Sequence, residues 1–69
     1  MRVVKITWED IESSLVWNEE YEEVEPPEFN TVGFLVKQTD TKVIICDTDP
    51  GTGTVTVFPR GCVKDIKYL

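Results

Sequence analysis

The chain has 69 residues with 13 acidic side chains, seven basic side chains and no histidine, and its net charge is −6. A chain of this length forms one domain with a small core, so we expect help from a second copy through self-association. No apolar run is long enough to cross a membrane or to form a signal-peptide core, which excludes a membrane partner and predicts a cytoplasmic protein.

The acidic side chains are concentrated in the first part of the chain. Residues 1–28 carry two basic and nine acidic side chains, whereas residues 29–69 carry five basic and four acidic ones. The acidic run from Glu19 to Glu25 repels phosphate and attracts basic protein surfaces. A solvated loop is the commoner explanation of such a run, although Trp17 and Tyr21 would gain from packing against the domain.

Alternating apolar side chains predict five short strands, at residues 3–8, 30–37, 43–46, 54–58 and 62–67. A long acidic loop, residues 9–30, follows the first strand; one helical turn or an irregular loop fits residues 9–17 equally well, and Pro26 and Pro27 end any helix. Gly33 in the second strand indicates a bend or a close backbone contact. The continuous apolar run of the third strand predicts burial on both faces.

The two cysteines, Cys46 and Cys62, lie in apolar strand patterns, where a free thiol behaves as a small buried hydrophobe. A disulfide between adjacent strands is the alternative, and it needs an oxidising compartment. Without histidine or clustered cysteines we expect no metal site and no cofactor. The aspartates between Asp47 and Gly53 have the spacing of a surface turn and lack the terminal glutamate of a calcium loop.

Five short strands, one long loop and no internal repeat predict a single all-β domain over residues 1–69. The arrangement is typical of a five-stranded, strongly bent small barrel of the SH3-like or Sm-like kind. An OB-fold is the main alternative.

Two segments resemble the two halves of the Sm signature. They are Gly33-x-Leu35 before the polar hairpin tip, and Val57-Phe-Pro-Arg60-Gly61-x-Val63-x-x-Ile66, and the resemblance covers residues 31–67. The chain begins with a strand, as do the small Sm-like proteins of phage and metagenomic origin that it also resembles. The resemblance implies a closed ring in which the fourth strand of one subunit pairs with the fifth strand of the next.

The resemblance also implies that RNA or a small nucleotide, including a cyclic nucleotide, binds between the hairpin tip and the Arg-Gly loop. Carried over by position, the ligand-binding residues are Thr39, Asp40, Thr41, Lys42, Arg60 and Gly61, with Lys64 also lining the ring. A guanidinium at a glycine turn offers several donors to phosphate. The alternative for Arg60 is a capped turn in which Asp40 or Asp65 neutralises it.

Catalysis has little support, because there is no histidine and the serines lie in a polar loop without a base. We therefore expect a non-enzyme, and three functions stay open. The first is a ring that binds short RNA or a nucleotide. The second is a phage-type interaction or anti-defence protein whose acidic segment binds a basic host protein, through Trp17, Glu19, Glu20, Tyr21, Glu22 and Glu23. The third is a structural ring or assembly adaptor without a ligand.

Overall fold

A computed structural model describes residues 1–11 and 24–69 of the chain. It confirms the all-β prediction. The strands are β1 (Val3–Glu9), β2 (Glu28–Gln38), β3 (Lys42–Cys46), β4 (Val55–Pro59) and β5 (Val63–Tyr68), and a single 3₁₀ turn, Arg60–Cys62, joins β4 to β5. They pair antiparallel in one five-stranded sheet of order β4-β3-β2-β1-β5.

Strand β2 begins earlier than the sequence predicts, at Glu28 instead of Asn30. The reason is a cross-strand aromatic pair: Phe29 lies opposite Trp8, and their ring centroids are 5.0 Å apart. The acidic loop is therefore shorter than predicted at both ends, because Glu9 still belongs to β1.

Strand β2 changes its partner along its length. Its first part, Glu28–Phe34, pairs with β1, and its last part, Phe34–Gln38, pairs with β3 across a register shift between Leu35 and Lys37. This shift bends the sheet, as bulges do. Within the described residues β4 and β5 each have one neighbouring strand, so the sheet is small-barrel-like but not closed.

The predicted close contact at Gly33 is present. A Cβ atom at this position would lie 2.9 Å from the carbonyl oxygen of Cys46 and 3.0 Å from Cδ1 of Ile45. The irregularity of β2, however, lies after Leu35 and not at Gly33.

The core lies between the two ends of the bent sheet. Its buried side chains are Val4, Ile6, Val43, Ile45 and Phe58, and the half-buried Trp8, Leu35, Val63 and Ile66 pack against them. In β3 the predicted burial on both faces holds for Cys46 but only in part for Ile44, which is half-buried. Both cysteines are free thiols; Cys46 is buried, and Cys62 is half-buried at the end of the 3₁₀ turn.

Candidate functional site

The hairpin tip between β2 and β3 is held in shape by Thr39. Its backbone N–H donates to the carbonyl oxygen of Lys42 (2.9 Å), and its hydroxyl oxygen accepts from the backbone N–H groups of Lys42 (3.1 Å) and Thr41 (3.3 Å). Hydroxyl side chains commonly close turns in this way. The role of Thr39 is therefore to fix the tip, and Asp40 lies exposed at its apex.

The tip and the Arg60 turn lie side by side. The antiparallel register places Lys42 opposite Pro59, and the backbone N–H of Arg60 donates to the carbonyl oxygen of Thr41 at 2.8 Å. The structure thus brings together six of the seven residues that the resemblance implied for ligand binding. Gly61 is exposed, and nothing lies within 4 Å of a Cβ atom built on it, so the glycine meets no steric demand here.

The guanidinium group of Arg60 contacts a neutral side chain. Its Nη1 donates to Oε1 of Gln38 at 3.0 Å. In the part of the chain that the structure describes, the ion pairs involve only Lys64 and the terminal amine of Met1. The expected alternative, a turn in which Asp40 or Asp65 pairs with Arg60, is therefore not found among these residues.

Three residues that sequence reasoning did not assign to the site join Arg60. The amide Nε2 of Gln38 donates to the Tyr68 hydroxyl at 2.9 Å, and the guanidinium carbon of Arg2 lies 4.3 Å from the centroid of the Tyr68 ring. We call Arg2, Gln38, Arg60 and Tyr68 the arginine cluster. Its members come from four separate segments of the chain. The only sequence signal for the three added residues is that Gln38 belongs to the polar hairpin tip, residues 38–42.

Lys64 lies outside this cluster. Its ammonium group contacts Glu28 (2.9 Å) and Glu9 (3.2 Å), two carboxylates that face each other across β1 and β2. Hydrogen bonding to Glu28, then to Glu9, raises the pKa of Lys64 above 10.5. The stabilisation from this exposed group is present at lower pH and is lost as the pH rises through the raised pKa. Lys64 therefore separates two like charges of the sheet and is engaged away from Arg60.

A shallow apolar groove lies beside the core and reaches both ends of the Arg60 turn, at Pro59 and Cys62. It has a volume of about 450 Å³ and is lined mainly by Trp8, Ile11, Phe58, Pro59 and Cys62. No lysine or arginine lines it. Its chemistry suits an apolar group and not a phosphate.

Some of the predicted features fall outside what the structure describes. The residues predicted for the alternative function, partner binding by the acidic segment, run from Trp17 to Glu23 and lie outside the described residues. For residues 1–11 and 24–69, no helix is long and apolar enough to cross a membrane. The same residues contain no group of three or more side chains arranged to hold a metal ion.

Comparisons with protein-family models, with curated proteins and with solved structures find no match to this chain. The fold and the site together define an all-β, small-barrel-like protein with an exposed arginine cluster beside its hairpin tip. Its function is inferred from that geometry.

Proposed function

We propose that this chain is a non-enzymatic, Sm-like small barrel that assembles into a ring and binds short RNA or a small nucleotide beside the hairpin tip. The observation that carries the proposal is the Arg60 guanidinium, which contacts an amide and has no carboxylate partner among the described residues. A guanidinium has five N–H donors, so most of them stay available to a phosphate.

The surroundings of Arg60 support an anionic ligand. Within the described residues, basic and acidic side chains are nearly balanced, with seven basic and eight acidic ones. Lys42 lies opposite Pro59, directly before Arg60, and adds a second positive charge to this side of the domain, against the one negative charge of Asp40 at the apex of the tip. The net charge of −6 thus does not describe the local potential near the tip.

Two open strand edges support self-association. Backbone hydrogen bonds are present just beyond both ends of the β3–β4 ladder. Hydrogen-bonded and non-bonded pairs alternate along an antiparallel ladder, so Val55 and Val57 occupy non-bonded positions. Their backbone N–H and C=O groups therefore point away from β3. By the same alternation, Ile66 and Tyr68 of β5 direct their backbone groups away from β1. Pairing β4 of one copy with β5 of the next satisfies both edges and places each arginine cluster at a subunit boundary.

The first test is native mass spectrometry of gently purified protein, read for subunit number and for a retained mass. We expect a closed ring carrying a nucleotide-sized adduct. A bare ring favours the structural or adaptor function, and a monomer contradicts the assembly.

The second test measures binding to labelled oligo-uridylate, oligo-adenylate and cyclic nucleotides by fluorescence anisotropy. We expect Arg60→Ala to abolish binding and Lys5→Ala, which removes an equal charge from β1 outside the cluster, to leave affinity unchanged. Replacing the acidic run by glutamine (Glu19, Glu20, Glu22 and Glu23) should leave or improve affinity. Equal affinity of Arg60→Ala and the unaltered protein for every ligand would contradict the proposal.

A further inference from the structure

The arginine cluster contains a second guanidinium group besides that of Arg60. The amide of Gln38 accepts from Arg60 through Oε1 and donates to the Tyr68 hydroxyl through Nε2, and Arg2 lies over the Tyr68 ring. The two guanidinium groups are therefore connected across one continuous surface by an amide and a phenol. Within the described residues neither arginine has a carboxylate at ion-pair distance.

The contact between Arg2 and Tyr68 leaves the donors of Arg2 available. In a cation–π contact the guanidinium presents its face to the ring, and its in-plane N–H groups can still donate to a phosphate. The Tyr68 residue is 43% exposed, so part of its surface is open to a base. Aromatic rings and guanidinium planes both stack with bases of any sequence.

Both members of this pair are held in place by backbone contacts. The carbonyl oxygen of Arg2 accepts from the N–H of Leu35 at 2.8 Å, and the N–H of Leu69, next to Tyr68, donates to the carbonyl oxygen of Val3 at 2.9 Å. A stacking platform whose backbone is fixed before binding loses less conformational freedom when the ligand arrives.

We propose that Arg2 and Tyr68 form a second subsite, adjacent to Arg60, for the neighbouring nucleotide of a single-stranded nucleic acid. The base stacks against the Arg2–Tyr68 pair, and its phosphate accepts hydrogen bonds from Arg2. The inference rests on the proposed function and narrows the ligand class: a single-stranded oligonucleotide engages both subsites, whereas a mononucleotide engages one.

The experiment measures the affinity of the full chain for labelled octauridylate, or for octaadenylate if it binds better, at several salt concentrations. Arg2→Ala should weaken binding about tenfold and reduce the slope of log K against log salt by about 0.7, the value for one lost contact to a single-strand phosphate. Tyr68→Leu should weaken binding by a similar factor without changing the slope. Arg2→Lys should restore the slope, and Lys5→Ala is the control for loss of one positive charge.

The outcomes separate the two proposals. If Arg60→Ala abolishes binding while Arg2→Ala and Tyr68→Leu stay within twofold of the unaltered protein, the second subsite is wrong and the proposed function stands. A loss of affinity in Arg2→Ala with an unchanged salt slope also overturns the phosphate contact. If the unaltered chain binds a cyclic nucleotide or mononucleotide but no oligonucleotide, the second subsite is wrong and the proposed function stands. If it binds neither class of ligand, both proposals fail. Thermal unfolding of each variant shows whether a loss of affinity is a loss of folding.

Discussion

Gly33 and Gly61 differ in whether their surroundings leave room for a side chain. Gly33 lies against the backbone of β3, where an added Cβ atom would meet the Cys46 carbonyl oxygen at 2.9 Å. Gly61 lies in open space and has no positive φ. The first glycine is thus required by packing, and the second is not, although both belong to the segments that resemble the Sm signature.

This contrast predicts different responses to the same substitution. Gly33→Ala should lower the free energy of unfolding by about 1 to 3 kcal/mol, because neither a backbone carbonyl nor a buried isoleucine can move away cheaply. Gly61→Ala should leave stability unchanged or raise it by about 0.4 to 1 kcal/mol, since alanine restricts the unfolded chain. Urea denaturation followed by circular dichroism measures both, and an equal loss in the two variants would contradict the packing argument.

At the scale of elements, the two edge strands differ in how they are protected. Strand β5 carries Lys64, Asp65 and Lys67, and charges of this kind discourage pairing with the wrong strand. Strand β4 carries no charged side chain, and its outward-facing Val55 and Val57 are 51% and 54% exposed. The edge formed by β4 is therefore the one that needs a partner.

Val57 lies on the edge strand β4, where a second copy would pair. Val57→Lys should weaken self-association, because the new ammonium group would lose its hydration beside the incoming strand. Val32→Lys is the matched control: its side chain is 58% exposed but belongs to the central strand β2. Sedimentation equilibrium over a range of concentrations gives the subunit number. The idea fails if Val57→Lys assembles as the unaltered chain does.

At the scale of the whole molecule, stability depends on few side chains. Five apolar residues form the buried cluster of the described part, and Phe58, 4% exposed, connects it to the Trp8 ring at 5.5 Å. Small domains of this size have little free energy in reserve.

Phe58→Ala should therefore cost about 3 to 5 kcal/mol, close to the whole stability of such a domain, and populate the unfolded state at room temperature. Val32→Ala, at an exposed position, should change stability by less than about 0.5 kcal/mol. Thermal unfolding at two protein concentrations measures both changes. A higher unfolding temperature at the higher protein concentration would show that self-association stabilises the fold. A small effect of Phe58→Ala would show that the core does not carry the stability.

The strands were predictable because alternation and turn residues mark them, and each predicted boundary lies within two residues of the observed one. The resemblance implied that Lys42 and Arg60 lie close together, and in the structure the pairing of β3 with β4 brings them together. The contacts of Gln38 with Arg60 and Tyr68 could not be predicted, because they join residues far apart in the chain and follow a register shift in β2 that no residue type indicates. The earlier start of β2 depended on the pairing of Phe29 with Trp8, a contact between distant parts of the chain.

The order β4-β3-β2-β1-β5 also has a consequence for folding. Strand β1 lies between β2 and β5, so Val4 pairs with Gly33 on one side and with Tyr68 on the other. During folding, β1 to β4 can pair as a four-stranded sheet before β5 adds to the other side of β1. We expect closure of the β1–β5 ladder to be the slow step of folding, since it joins residues far apart in the chain. Until then, the backbone hydrogen-bonding groups on the β5 side of β1 have no strand partner.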